Sequence, residues 1–347
     1  MPKLTRYGKK NVIALKTAFF EQNDVLKEDL LRINAIYAAQ PARERCKICD
    51  ARLPSDGGFA KHGVAYVVCT VCRHLNGRHE DTDTFCAAVY NGDGGSAYAK
   101  NYTSADTEAY RRRVQEIYVP KAQFLADALT QQGFAMESGC VDLGAGSGYF
   151  VSALQECGIE KVAGYEVSQS QIELARRMNS KARMIKHELD EICTLAANVD
   201  ADVISMIGVL EHLRQPRSLL QAIGCNRNVR YIYLSVPLFS SCVVLEAVFP
   251  EVMPRQLAGG HTHLFTEASL DHMAQEFGLE RVAEWWFGSD MVDLFRSLSV
   301  QLGKTPGAQP LQQFASDSLL PLIDELQLVV DRKHLSSEVH MVFKVFH

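Results

Sequence analysis

The chain has 347 residues, a formal net charge of −5, 47% hydrophobic and 22% charged residues. These are ordinary values for a globular protein with room for a core domain and an appendage. The acidic balance excludes bulk attraction to nucleic acid or an anionic membrane. Lys16 breaks the apolar run of "NVIALKTAFF" and no small-residue cleavage site follows, so no secretory leader is expected. The window "YIYLSVPLFSSCVVLEAVF" is interrupted by Pro237, Ser240, Ser241 and Glu246, and reads as strand, loop and helix rather than a membrane span. A cytoplasmic location is expected. There, ten cysteines do not read as disulfides.

In chain order, "LKTAFFEQNDVLKEDLLRINAIYAAQ" has apolar residues at helical spacing and stops before Pro41. Residues 1–41 are therefore an N-terminal helical segment. Residues 42–95 are rich in Cys, Gly, Arg and His and close on the flexible "GDGG". The helical period returns from Tyr98 to Gln132, with Gly133 as its stop. Strands then alternate with helices: "GCVDL", "KVAGYEV", "ARMIKH", "DADVISMIG" and "VRYIYLSVP" read as strands. The intervening segments are helical, and Ser168 opens one of them. This alternation predicts an α/β fold with a largely parallel sheet covered on both faces, over residues 96–347. "TEASLDHMAQEFG" is a further helix capped by Thr266, and "LERVAEWWFGSD" is a strand whose Trp285 and Trp286 pack the sheet edge. "SSEVHMVFKVF" is an edge strand that follows a helical tail.

Four cysteines form the pairs Cys46-x-x-Cys49 and Cys69-x-x-Cys72, with 19 residues between Cys49 and Cys69. This spacing reads as a zinc ribbon. Two knuckles supply four thiolates to one tetrahedral ion and leave no open position, so the zinc is structural. The other six cysteines are scattered and read as small buried hydrophobes.

"CVDLGAGSGYF" places Gly144, Gly146 and Gly148 at alternate positions after a strand, where glycine tolerates positive φ and lets a ligand approach the backbone. The spacing is not that of the dinucleotide fingerprint. The next strand ends in Glu166, a carboxylate able to accept bonds from both ribose hydroxyls of an adenosine-bearing ligand.

Together, "VDLGAGSG", "YEVS" and "ADVISMIGVLEHL" resemble the class I, Rossmann-like S-adenosylmethionine-dependent methyltransferases, over roughly residues 98 to 290. The resemblance implies a seven-stranded sheet with helices on both faces. It implies that Asp142, Gly144, Gly146 and Gly148 line the methionine end of the cofactor and that Glu166 holds the ribose. Glu188 is the candidate near the adenine, with a solvated acidic loop as the alternative. Tyr102 is the candidate cover for the cofactor, with core packing as its alternative. The Cys-pair module before such a core is similar to bacterial methyltransferases of sugars and other small metabolites in polysaccharide and natural-product pathways.

Glu211 and His212 follow the fourth core strand, and His261 and His263 follow the strand ending "SVP". Both segments open at the ligand edge of the sheet, and histidine suits proton removal near neutral pH. His261 or His263 is the leading general base. As residues two apart on an extended segment, they are expected to point the same way. Related sugar C-methyltransferases carry His-Glu-His where this chain has His261-Thr262-His263, and the missing carboxylate favours a hydroxyl acceptor. Some relatives bind a divalent ion through E-x-x-E-H and a further histidine. Here Gly208 takes the first glutamate's place, which disfavours a catalytic metal.

The expected function is methyl transfer from S-adenosylmethionine to a hydroxyl of a sugar, nucleotide sugar or other small metabolite. The open alternatives are C- or N-methylation of such a molecule, an RNA or protein methyltransferase that recognises its substrate through the zinc ribbon, and a non-catalytic scaffold. The acidic charge and the lack of an aromatic–basic stripe count against RNA. The acceptor's identity and the oligomeric state, homo-oligomer included, stay open.

Overall fold

The computed structural model describes residues 20–91, 106–257 and 260–347. Tyr98 and Tyr102 lie outside them. Eleven strands are present among the described residues: β1 (Phe59–Lys61), β2 (Val64–Val68), β3 (Leu75–Gly77), β4 (Cys140–Leu143), β5 (Val162–Glu166), β6 (Arg183–Lys186), β7 (Val203–Ile207), β8 (Tyr231–Pro237), β9 (His263–Leu264), β10 (Leu279–Phe287) and β11 (Glu338–Val345). Seven form one sheet in the order β10-β11-β8-β7-β4-β5-β6. The five strands from β4 to β8 are mutually parallel, and β11 runs antiparallel to both its neighbours. The sheet is thus the mostly parallel, seven-stranded α/β sheet that the resemblance implies.

The strand order reverses at β4, with β5 and β6 on one side and β7 and β8 on the other. A crevice opens at the carboxyl ends of the strands at such a point. The turn after β4 is the glycine turn, so the fold delivers it to that crevice.

Helices cover both faces. α1 (Asn23–Ala38) packs on the Cys-pair module, where Tyr37 joins Val64 and Leu75, and on one face of the large sheet α2 (Thr107–Arg113) leads into α3 (Val119–Gln131). The helix widens to a π-turn at Val114–Tyr118, immediately before Pro120. Proline has no N–H and collides with the carbonyl four residues back, and the wider turn accommodates it. The helix ends before Gly133, which has φ +63°. Phe124, Leu125 and Leu129 of α3 join Phe150, Val151 and Leu154 of α4 (Tyr149–Glu156) and Ile172 and Ala175 of α5 (Gln169–Met178) in one apolar cluster. The opposite cluster gathers Ala196 of α6 (Ile192–Asn198), Leu219, Leu220 and Ile223 of α7 (Pro216–Cys225), and Leu270 and Met273 from the helix Glu267–Glu276. That helix is capped reciprocally by Thr266 and Ser269.

The tail strand departs from its expected place. β11 lies inside the sheet, between β8 and β10, and β10 is the edge. The reason is burial on both faces: Val339, Met341, Val342 and Phe343 are all fully covered. Trp285 of β10 is also fully buried, against Phe124 and His340, and Trp286 stacks on His334 at 4.2 Å between ring centroids.

The remaining strands form a second sheet, β1-β2-β3-β9. Its last member comes from the far end of the chain: Leu75 pairs with Leu264, and Asn76 with His263. Cys46, Ile48, Leu53, Val67, Cys69 and Cys72 share one apolar cluster with Leu219, Leu270 and Met273. The Cys-pair module is thus woven into the α/β body by a strand pairing and a common core. No helix among the described residues is long and apolar enough to cross a membrane.

Candidate active site

The glycine turn is held from three sides. Gly144, Gly146 and Gly148 all have positive φ, a region costly to residues with a Cβ. A Cβ on Gly144 would lie 2.6 Å from a Val209 methyl group, and one on Gly148 would lie 2.9 Å from the Ala175 Cβ. The alternating glycines therefore answer to backbone conformation and to protein neighbours as well as to any ligand. Glu166, at the end of β5, accepts three backbone N–H bonds: from Gly146 at 2.8 Å and from Val167 and Ser168 at 2.9 Å. Its carboxylate ties the glycine turn to the β5 turn. Ser168 opens α5 through its backbone, and its side chain makes no cap. The Tyr110 hydroxyl donates to the Ser147 carbonyl at 3.0 Å, and its ring stacks on Tyr149 at 4.5 Å.

Asp142 lies beneath the turn, almost wholly buried. Ser205 on β7 donates to its Oδ1 at 2.7 Å. Burial pushes its carboxyl up to about 7, against the Ser205 bond and with the help of the nearby Glu166 charge. A buried carboxylate so poised is suited to a cationic partner. S-adenosylmethionine, with its ammonium and sulfonium charges, is such a partner, and the residues at the β4 turn fit it. Glu188 is solvent-exposed one strand over, where its backbone N–H bonds Glu191 and its carboxylate pairs with Lys186 at 3.3 Å.

A second cluster lies at the end of β7. Glu211, His212 and His261 place ligand-type atoms within 4.8 Å of one another. His212 donates its Nδ1–H to the Gly260 carbonyl at 3.0 Å, and His261 donates its Nδ1–H to the Gln256 carbonyl at 2.9 Å. Each ring thereby takes the tautomer whose Nε2 carries a lone pair. His212 Nε2 lies 4.0 Å from Glu211 Oε1, and the buried Glu211 Oε2 has no hydrogen-bond partner among the described residues. Burial pushes the Glu211 carboxyl up to about 8 and the two imidazoles down, to about 3 for His212 and about 4 for His261. Beside them, Glu338 accepts from Ser235 at 2.7 Å and faces Lys121 at 3.6 Å. Its burial is outweighed by Lys121 and His340, which hold it well below the usual carboxylate range.

His263 is placed differently from the sequence expectation. It is fully buried, with Nδ1 2.7 Å from His74 Nε2, and His74 Nδ1 reaches the Ser269 hydroxyl at 3.2 Å. Pairing with Asn76 turns His263 into the seam with the Cys-pair module, whereas His261, still outside the strand, joins His212 at 5.1 Å between centroids.

The four paired cysteines converge. Their sulfurs lie within 4.8 Å of one another, with Cys46–Cys72 and Cys49–Cys69 each at 3.5 Å. A tetrahedral zinc with bonds of about 2.3 Å asks for sulfurs about 3.8 Å apart, so the cage fits the ion.

Sequence reasoning missed Ser205, Glu338 and Lys121 as contributors to this edge. Tyr110 stands with Tyr98 and Tyr102 among the tyrosines before the core, of which the sequence reading prefers Tyr102 as the cofactor's cover.

A family profile described as "Methyltransferase domain" matches residues 110–284, half of the chain. No curated protein sequence matches it. Among solved structures, it is similar to the plantazolicin methyltransferase BpumL in complex with SAH (14% identity, 76% of this chain and 94% of that one, TM-score 0.47). It is also similar to the magnesium protoporphyrin IX methyltransferase of Synechocystis PCC 6803 with bound SAH (14%, 58% and 92%, 0.42). A third is an S-adenosylmethionine-dependent methyltransferase from Archaeoglobus fulgidus (16%, 64% and 94%, 0.38). These distant likenesses add no weight to the family match. With the profile spanning the glycine turn, the Glu166 strand end and the Glu211–His212 turn, the chain belongs to this methyltransferase family and is an S-adenosylmethionine-dependent methyltransferase.

Proposed function

We propose that the enzyme methylates a hydroxyl of a small metabolite, a sugar or nucleotide sugar, and that His261 removes the acceptor's proton. The observation that carries this reading is the pinned tautomer of His261, which leaves a lone pair on Nε2 at the ligand edge beside Glu211 and His212. When bound, S-adenosylmethionine supplies an electrophilic methyl group on its sulfonium. Asp142 would face its positive end, Gly144, Gly146 and Gly148 would shape the turn against it, and Glu166 would hold that turn and the ribose. Glu188 would serve the adenine end. Tyr102, the proposed cover, lies outside the described residues. The acceptor's oxygen needs a direct line to the methyl carbon and a base within hydrogen-bond reach, and the chain supplies the second through His261. Glu338, Lys121 and Ser235 offer further polar contacts for a hydroxyl-rich acceptor. The test is transfer of isotope-labelled methyl to a panel of sugars, nucleotide sugars and non-sugar metabolites. Labelled methyl ethers support the reading. Label on carbon or nitrogen, or only on RNA or protein, overturns it.

A second reading is favoured by one observation. Glu211, His212 and His261 meet the donor requirements of a divalent-cation site, with both Nδ1–H groups engaged by carbonyls and a buried carboxylate oxygen that has no partner among the described residues. A cation there would replace the base by polarising the acceptor hydroxyl.

The module is proposed to hold one structural zinc through Cys46, Cys49, Cys69 and Cys72. Metal analysis of protein purified without chelator should return one zinc per chain. Cys69→Ser should lower that content and destabilise the module, because metal binding and local folding are coupled. Zinc-free native protein with an intact module would refute the site.

A further inference from the structure

We propose that the Cys-pair module is the positioning element of the acceptor site, with Lys47 and Asp81 as positioning residues that fix the segments carrying His212 and His261. The inference rests on the assignment of those histidines to the acceptor, and it assigns the module a task beyond holding zinc.

Lys47 stands inside the first knuckle, between Cys46 and Cys49, and is buried. Lysine is almost never so covered unless paired. Its ammonium crosses the seam, donates to the Leu213 carbonyl at 2.7 Å and forms an ion pair with Asp81. Leu213 directly follows His212. Asp81 is buried as well and is also paired with Arg43 at 3.2 Å, which reaches Glu80 at 3.0 Å. Burial alone would raise the Asp81 pKa, but Lys47 and Arg43 hold it below the usual value, with a smaller contribution from the Thr262 side chain. Thr262 directly follows His261.

The second knuckle's strand grips the same segment through its backbone. Gly77 donates to the Thr262 carbonyl at 2.8 Å, and Asn76 pairs with His263. Asn76 also accepts from the Lys47 amide at 3.0 Å, and its Nδ2 lies 3.5 Å from the Cys46 sulfur. The circuit closes on the active-site side, where His212 donates to Gly260, the neighbour of His261. One buried ion pair therefore touches the segments of both histidines, and a strand pairing holds one of them.

Stability alone is a poor reason for this arrangement. A buried ion pair bears a desolvation cost that often cancels its attraction, and an apolar replacement of the whole network is often neutral or stabilising. What apolar residues do not replace is a directional bond to the Leu213 carbonyl. That bond fixes the turn from which His212 projects.

The test uses the full-length zinc-loaded chain, labelled with 15N-histidine, and needs no acceptor. In the wild type, His212 and His261 should appear as Nδ1–H tautomers. Lys47→Met keeps the stem and removes the ammonium. The expected result is loss of the fixed His212 tautomer signal, with one zinc retained and S-adenosylmethionine affinity within about threefold of wild type. Asp81→Asn, which weakens the hold from the other side, should perturb His212 and His261 together. If Lys47→Met does not fold, Asp81→Asn decides by the same signals. Unchanged tautomer signals overturn the proposal. So does loss of cofactor binding in both variants, because the pair would then support the whole fold rather than the site. Failure of the hydroxyl-acceptor reading would show in product analysis and leave these signals where they are.

Discussion

Glu166→Ala should weaken S-adenosylmethionine binding by about 2–4 kcal/mol, a loss of roughly 30- to 1000-fold in affinity. The effect has two sources. Under the proposed reading the carboxylate accepts from the ribose, and in this structure it already accepts from Gly146, Val167 and Ser168. Truncation leaves three amide N–H groups near the crevice without their charged acceptor, and bonds to charged groups are the strong ones. The glycine turn and the β5 turn then lose the group that joins them. Glu166→Gln keeps one acceptor oxygen and should fall between the two. Calorimetry on both variants, with thermal unfolding as a check that the sheet is intact, decides the matter. Wild-type affinity in Glu166→Ala would show that neither turn nor ribose depends on the carboxylate.

This dual use of Glu166 also marks what the sequence discloses and what it conceals. The strand–helix alternation, the stop at Gly133, the cap at Thr266 and the crevice-side placement of the glycine turn follow from local patterns, and all are present. The carboxylate's bond to Gly146 spans 20 positions and leaves no periodic trace. The apolar residues of β11 would suit an edge strand equally well, and only its pairing with both β8 and β10 shows it to be interior. β9 is two residues long, too short for any period to announce it, yet it knits the module to the body. That pairing undoes the local argument for His261 and His263. Residues two apart share a face only while both are on the same strand, and here the strand begins at His263. Lys47 was invisible for a different reason: its burial depends on Asp81 and Leu213, far along the chain.

The two histidines should consequently separate in experiment. His261→Ala should lower turnover by about 10²–10⁴, the usual contribution of a positioned acid or base, while cofactor affinity stays near wild type. Its ring is oriented by the Gln256 carbonyl and adjoins His212 and Glu211, so truncation removes the Nε2 lone pair from that cluster. His263→Ala acts on the fold instead. It deletes a fully buried ring and leaves His74 without its 2.7 Å partner, so lost stability should dominate over lost turnover per folded molecule. Manganese resolves which role the cluster plays. Under the base reading, Mn²⁺ neither binds the wild type near His261 nor alters turnover. Under the cation reading, Mn²⁺ binds, raises turnover, and loses its site in both Glu211→Gln and His261→Ala, because each removes one of three convergent ligands. If His261→Ala keeps near-normal turnover with the true acceptor and Mn²⁺ has no effect, neither reading survives. The proton must then leave through His212 or Glu211, the remaining groups at that edge.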